Sequence, residues 1–250
     1  MRPVALITGG QQGIGLGIAE ALRDAGFALA IAAERPPQDV TEAIRSLGDS
    51  ARYYQHDLSR IEAIPALLDR IEADLGPVTC LIQNAGVPAR IRGDMLQITP
   101  DNFDFAMDIN LRGAFFLAQA VARQMLDRPA DTYRSLVFVT SVSAEMVSVE
   151  RAEYCISKSA ASMIARTFAA RLAAQGIGVF EVRPGIIRTA MTEGVSAKYD
   201  ALIGDGLVPA GRWGEPADIG AIVCPLVTGQ MHFATGAIIP ADGGLSIPRL

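Results

Sequence analysis

A single doubly wound α/β domain spanning residues 1–250 is the fold the sequence predicts, with a parallel seven-stranded sheet and helices on both faces. Two observations predict it. Short apolar runs alternate with amphipathic helical patterns from end to end, and the interiors of the clearest runs (VALI, VTCLI, LVFV) are almost continuously apolar. Strands of a parallel sheet covered on both faces have that composition, whereas one-sided strands alternate. No internal repeat, low-complexity tract or linker divides the chain.

The first strand candidate is 3–8, followed by a helix carrying Ile14, Ile18 and Leu22 and ended by Gly26. Further strand candidates are 28–33, 51–55, 78–82, 136–140, 178–182 and 237–240. Between the third and fourth, Ile61, Ile64, Leu67, Leu68, Ile71 and Leu75 recur at helical spacing, and Ser59 with Glu62 reads as a capping box. Thr99-Pro100 opens another helix, the threonine as cap and the proline at its first position. Ile156, Ala160, Met163, Ile164 and Phe168 form an apolar stripe read as packing, within the subunit or between subunits.

With 250 residues, half of them hydrophobic, the chain is long enough for one full core. A net charge of −5 without basic runs argues against nucleic acid as a partner. No apolar run approaches the roughly 18 residues needed to cross a membrane. The opening MRPVALITGG is too short in its apolar part for a signal peptide and reads as a strand. Cys80, Cys155 and Cys224 are odd in number, widely spaced and lack C-x-x-C, so no disulfide framework and no zinc or other metal site is expected. A reducing cytoplasm is the expected compartment. Cys155 is read as a small buried thiol and not as a nucleophile.

Tyr154 and Lys158 stand four residues apart in a helical segment, so phenol and ammonium share a face. A cation beside a phenol, which ordinarily titrates near pH ~10, favours the phenolate and moves the group toward acid–base work. Ser141, thirteen residues before Tyr154 at a strand end, can offer a hydroxyl to the same reacting oxygen. The turn Thr8-Gly9-Gly10-Gln11-Gln12-Gly13-Ile14-Gly15 joins the first strand to the first helix. Glycines there permit close backbone approach to a pyrophosphate, which the helix N-terminus attracts.

Together these motifs resemble the short-chain dehydrogenase/reductase family in its compact form, over the whole chain and in the right order. The glycine turn matches T-G-x-x-x-G-x-G. His56-Asp57-Leu58 resembles the adenine-contacting segment, and Gln83-Asn84-Ala85-Gly86 resembles N-N-A-G with glutamine first. Asn110, Ser141, Tyr154 and Lys158 match the catalytic tetrad. Pro184-Gly185-Ile186-Ile187-Arg188-Thr189 is similar to the loop that holds the nicotinamide carboxamide, and Asp242-Gly243-Gly244 matches the closing D-G-G.

The resemblance implies a Rossmann fold and an NAD(P)-dependent oxidoreductase interconverting a secondary alcohol and a ketone. Tyr154 is then the general acid or base, and Lys158 lowers its pKa and bonds the nicotinamide ribose. Ser141 orients the substrate oxygen, and Asn110 supports a proton-relay water. Cofactor contacts fall to Gly9, Gln11, Gln12, Gly13, Ile14, Gly15, Glu34, Arg35, Asp57, Leu58, Asn84, Ala85, Gly86, Tyr154, Lys158, Pro184, Gly185, Ile187 and Thr189. His56 is placed beside the adenine. Substrate contacts fall to Ser141, Ser143, Ala144, Glu145, Met146, Tyr154, Gly185 and Met191, with 191–208 as a variable lid.

Ala33 stands where the family's NAD-specific aspartate would sit, followed by Glu34 and Arg35. Glu34 can serve the ribose hydroxyls, whereas Arg35 can serve a 2′-phosphate or stack on adenine. Gln12 replaces the basic residue of many NADP-preferring relatives, which tips the reading toward NAD with NADP kept open.

The substrate is a small carbonyl or alcohol compound, and the pattern is similar to 3-oxoacyl-carrier-protein reductases and their sugar and polyol relatives. Gln175 and Thr132 occupy positions where carrier docking would use basic residues, although Arg128 and Arg134 are near. A nucleotide-sensing protein without catalysis is the rival reading. An epimerase or dehydratase is disfavoured by the missing C-terminal substrate domain. By analogy with the family a homotetramer is expected, a homodimer being the alternative, with the apolar tail 244–250 at an interface.

Overall fold

Aliphatic residues on both sides of each strand force the chain into a sheet sandwiched between helices. In the computed structural model, which describes residues 2–128 and 132–249, the strands are β1 (Val4–Thr8), β2 (Ala28–Ala33), β3 (Ala51–Gln55), β4 (Cys80–Gln83), β5 (Arg134–Val139), β6 (Ile177–Pro184) and β7 (Ile238–Ala241). The helices are α1 (Gly13–Asp24), α2 (Thr41–Ser46), α3 (Ile64–Leu75), α4 (Pro100–Met107), α5 (Ala114–Leu126), α6 (Ala152–Leu172), α7 (Ala190–Glu193), α8 (Ser196–Gly204) and α9 (Pro216–Val227). The order across the sheet is β3-β2-β1-β4-β5-β6-β7, and every pairing is parallel. Chain order runs outward from β1 in both directions. The β1 and β4 connections therefore leave on opposite faces and open a crevice at their carboxyl ends.

Strand side chains alternate between two buried layers. Val4 and Leu6 pack with α3, α5 and α6, while Ala5 and Ile7 pack with α1 and α9. The same alternation separates Leu136 and Phe138 from Val137 and Val139. All seven strands expected from the sequence are present, β2 and β3 with the expected bounds and the other five with shifted ends. β4 begins at Cys80 and not at residue 78, where the Thr79 Oγ1 takes the Val4 N–H at 3.0 Å. β6 extends beyond residue 182 because Arg183, which ends the apolar run, is satisfied by Glu181 within the same strand.

The capping box expected at Ser59 and Glu62 does not form. Asp57 Oδ1 accepts both the Ser59 N–H (2.9 Å) and its hydroxyl (2.8 Å), and Glu62 pairs with Arg60. A tight turn over Ile61–Ala63 then leads into α3. Thr99 does cap α4, its Oγ1 accepting the Asn102 N–H, with Pro100 in first position. Along α6 the stripe splits: Ile164 is buried in the core and Phe168 packs against it, whereas Ile156 and Met163 are exposed. Of the apolar tail, Ile247 is exposed and Leu250 lies outside the described residues. Among the described residues no helix is long and apolar enough to cross a membrane.

Helices α4 and α5 are joined by a π-helical turn over Asp108–Gly113. Gly113 closes it against the loop after β3, where a methyl on its Cα would lie 2.1 Å from the Leu58 carbonyl oxygen. Gly113→Ala forces that loop outward and costs about 1–3 kcal/mol of stability, the usual range for overpacking. Urea unfolding measures it, and an unchanged midpoint would show that the loop yields freely.

Candidate active site

The crevice holds a cavity of about 390 Å³ lined from the carboxyl ends of β1, β2 and β5 and the loops after them. Its base is fixed by Thr8, the last residue of β1. The Thr8 hydroxyl accepts the N–H groups of Asn84 and Ala85, each at 3.0 Å, and donates to the Ile82 carbonyl. Asn84 returns its amide to the Thr8 carbonyl at 2.9 Å. These bonds tie the two diverging strands together at their ends.

Gly9, Gln11, Gln12, Gly13, Ile14 and Gly15 all line the cavity. A methyl at Gly15 would lie 2.2 Å from the Gly9 carbonyl oxygen, so the turn closes only with glycine there. Gln12, the residue before α1, makes no side-chain cap bond, which leaves the first N–H groups of the helix directed at the cavity. The Gln11 Oε1 is buried without a partner beside them. Free donors at a positive helix end fit a phosphate-bearing ligand.

At the β2 end the wall is formed by Ala32, Ala33, Glu34, His56, Asp57 and Leu58. The Tyr53 hydroxyl donates within the turn, 2.9 Å from the Ala33 carbonyl oxygen and 2.5 Å from that of Arg35. Burial, with Glu34 nearby, pushes this phenol up to about 12, so it stays a donor. Glu34 is exposed and lines the cavity, whereas Arg35 is exposed and lies outside the wall. His56 is buried with its Nε2 unpartnered, and burial holds its pKa below the ordinary histidine value.

At the other end Tyr154 and Lys158 line the cavity from one face of α6. Lys158 is buried, donates to the Val139 carbonyl at 3.3 Å, and holds its ammonium 5.8 Å from the Tyr154 ring centre. Asn110 sits inside the π-helical turn and is buried. Its Oδ1 accepts the Val87 N–H at 2.7 Å, and its amide donates to the Val87 carbonyl and the Ser157 hydroxyl, both at 3.0 Å. Its Oδ1 and the Lys158 ammonium both face Gly86. Ser141 follows Thr140, which lines the cavity, but is not itself part of the wall. Its Oγ accepts the Ser143 N–H at 3.1 Å and caps the turn Val142–Ala144.

The remaining expected residues divide. Asn84, Ala85, Gly86, Thr189 and Met191 line the cavity. Pro184, Gly185 and Ile187 do not: Gly185 packs against Asp242, and Ile187 is buried in the core. Ser143 is buried, Met146 is exposed, and the Glu145 carboxylate is engaged by Arg183, so these three stand outside the wall too. Cys155 lies half-buried with its sulfur 3.9 Å from the Met146 and Ser148 carbonyl oxygens, and Cys80 is pushed up to about 12 by burial.

A buried charged cluster beneath this end is absent from the motif reading. Glu181 Oε1 accepts from Thr140 (2.6 Å) and Arg183 Nε (2.7 Å), while its Oε2 accepts from Ser162 (2.8 Å). Thr140 leads into Ser141, and Ser162 lies one turn beyond Lys158 on α6. Glu181 thus ties the strand of Ser141 to the helix of Tyr154 and Lys158. Arg183 also donates to Ser162 and pairs with Glu145, reaching the loop after Ser141. Two opposite charges at i and i+2 in an otherwise apolar central strand share one face, and that signal was present in VFEVRP.

The family described as enoyl-(acyl carrier protein) reductase matches residues 9–246. The chain belongs to the short-chain dehydrogenase/reductase family. It is an oxidoreductase of that family. Across 100% of this chain and 99% of the other it is 50% identical to a Brucella melitensis 3-oxoacyl-[acyl-carrier protein] reductase crystallised with NAD, at a TM-score of 0.96. It is 32% identical to the acetoacetyl-CoA reductase of Shinella zoogloeoides over 98% of each chain. A putative 2-deoxy-D-gluconate 3-dehydrogenase from Agrobacterium tumefaciens with bound NADP is 29% identical, at a TM-score of 0.86 over 97% of this chain and 96% of that one.

Breaking the cluster at Glu181 leaves the buried guanidinium with only the exposed Glu145 carboxylate. Glu181→Ala is expected to lose about 3–5 kcal/mol, against a smaller loss for Glu181→Gln, which keeps an acceptor. Equilibrium unfolding compares the two, and equal midpoints for all three proteins would remove the cluster from the stability account.

Proposed function

We propose that this oxidoreductase interconverts a secondary alcohol and a ketone with a nicotinamide dinucleotide held along the crevice. The observation that carries it is the common cavity: Tyr154 and Lys158 line the same space as the uncapped end of α1. The α1 turn holds the diphosphate, Glu34, His56, Asp57 and Leu58 hold the adenosine, and Asn84 to Gly86 with Thr189 hold the nicotinamide half. The dinucleotide supplies or accepts a hydride when bound. Tyr154 gives a proton to the carbonyl oxygen, or removes one from the alcohol. The Lys158 ammonium stands beside that phenol and bonds the ribose. Ser141 orients the reacting oxygen, and Asn110 holds a water on the path to Lys158.

NAD is the preferred form on this reading. Glu34 lines the cavity after the end of β2 and Gln12 is uncharged, while Arg35 is exposed and is not part of the wall. The relatives crystallised with NAD and with NADP leave both forms within the family.

Reduction of an acyl group on a carrier protein is the second reading, favoured by the 50% identity to the Brucella protein of that name. Against it, the basic residues near the expected docking positions are engaged internally. Arg128 pairs with Glu72, and Arg134 donates to the Met125 and Arg128 carbonyls. Exposed Phe116, Ile156 and Met163 on α5 and α6 support self-association as a homotetramer, and three free cysteines suit the cytoplasm.

Tyr154→Phe is expected to lower kcat by at least about 100-fold, the scale of one acid–base group, with NADH affinity little changed. Stopped-flow turnover and fluorescence titration check it; full activity would sink the mechanism, and tight NADH binding without any turnover by the wild type would favour a sensor. Separate NADH and NADPH titrations test the coenzyme, with Glu34→Ala expected to narrow the gap by roughly tenfold or more, one lost charge-assisted contact. An unaltered ratio would remove Glu34 from coenzyme choice.

A further inference from the structure

Arg151 stands immediately before α6, with its guanidinium carbon 5.5 Å from the centre of the Tyr154 ring. It is half-buried, and its Nε donates to the Ser148 hydroxyl at 3.3 Å, which fixes the side chain across the phenol. Among the described residues it forms no ion pair, and neither terminal nitrogen makes a hydrogen bond. The nearby carboxylates are placed elsewhere. Glu145 is taken by Arg183, Glu150 is exposed, and both oxygens of the buried Glu153 are without a partner. The Tyr154 ring therefore has two cations near it, Lys158 in the cavity wall at 5.8 Å and Arg151 outside that wall at 5.5 Å, with the positive end of α6 beside them.

We propose that Arg151 binds a free carboxylate of the substrate, so that the enzyme acts on an oxo acid and its hydroxy acid. This rests on Tyr154 as the proton donor to the reacting oxygen. The two terminal nitrogens form a fork that matches the two oxygens of a carboxylate. One unneutralised guanidinium balances one negative charge. A phosphate would bring a second charge that one guanidinium does not balance. A thioester offers the fork no anion at all.

The test uses matched pairs of short 2-oxo, 3-oxo and sugar acids with their methyl esters, plus an acyl thioester, under NADH and under NADPH. The wild type is expected to favour at least one acid over its ester by about 10- to 100-fold in kcat/KM, the scale of a charge-assisted hydrogen-bonded pair. Arg151→Met is expected to bring that ratio near unity through a raised KM, and Arg151→Lys to restore part of it. A wild-type preference for ester or thioester, an acid preference surviving in Arg151→Met, or no turnover of any acid overturns the proposal. Tyr154→Phe in parallel separates the two assignments. Tyr154-dependent turnover without acid preference rejects the substrate class alone, whereas turnover independent of Tyr154 rejects the reaction assignment.

Discussion

All seven strands run the same way, so every connection must cross a face of the sheet before the next strand begins. That constraint collects seven carboxyl ends along one edge and sends the loops after β1 and β4 to opposite faces. The gap between them is where a ligand can lie against backbone N–H groups. Left to itself such a gap would splay. Thr8 and Asn84 prevent it, with one hydroxyl and one amide joining two strand ends that have no further ladder bonds to share. The glycine turn and the N-terminus of α1 depend on that anchor for their position.

The opposite half of the site depends on charge held out of water. Glu181 and Arg183 would each be costly alone in the core, and together they are acceptable because the carboxylate oxygens are fully subscribed. Their partners are drawn from the residue before Ser141, from α6 and from the loop after Ser141, next to the residues that carry the acid–base groups. Lys158 is a simpler case: a buried ammonium bonded to a strand-end carbonyl, close to the phenol it serves.

The sheet was legible because a parallel strand covered on both faces is written as a continuous apolar word. Where a polar side chain entered the ladder, the word broke early. Thr79 displaced the start of β4, and Arg183 hid the end of β6. The capping box at Ser59 failed for a related reason, since Asp57 offered a nearer carboxylate than the helix offered donors. In the site, the glycine turn, Asn84, Tyr154 and Lys158 were legible from type and spacing, and the structure brings them to one cavity. The loop after β6 was not: Pro184, Gly185 and Ile187 are fixed by Asp242 and the core, contacts with residues far along the chain. Arg183 and Arg151 were hidden for the same reason, because whether an arginine is neutralised depends on which carboxylates fold beside it.

The π-helical turn at Asp108–Gly113 makes the length of that segment as binding as its composition. Such a turn is an α-helix carrying one residue more than its period allows. The surplus residue rotates α5 out of phase with α4, so that Asn110 faces Val87 and Ser157 while Phe115 and Leu117 still reach the sheet. A chain shorter here by one residue would relax to a regular helix and recover its hydrogen-bond ladder. It would then have to choose between aiming the asparagine at the crevice and seating α5 on the core. The reading frame of the helix is itself part of the site.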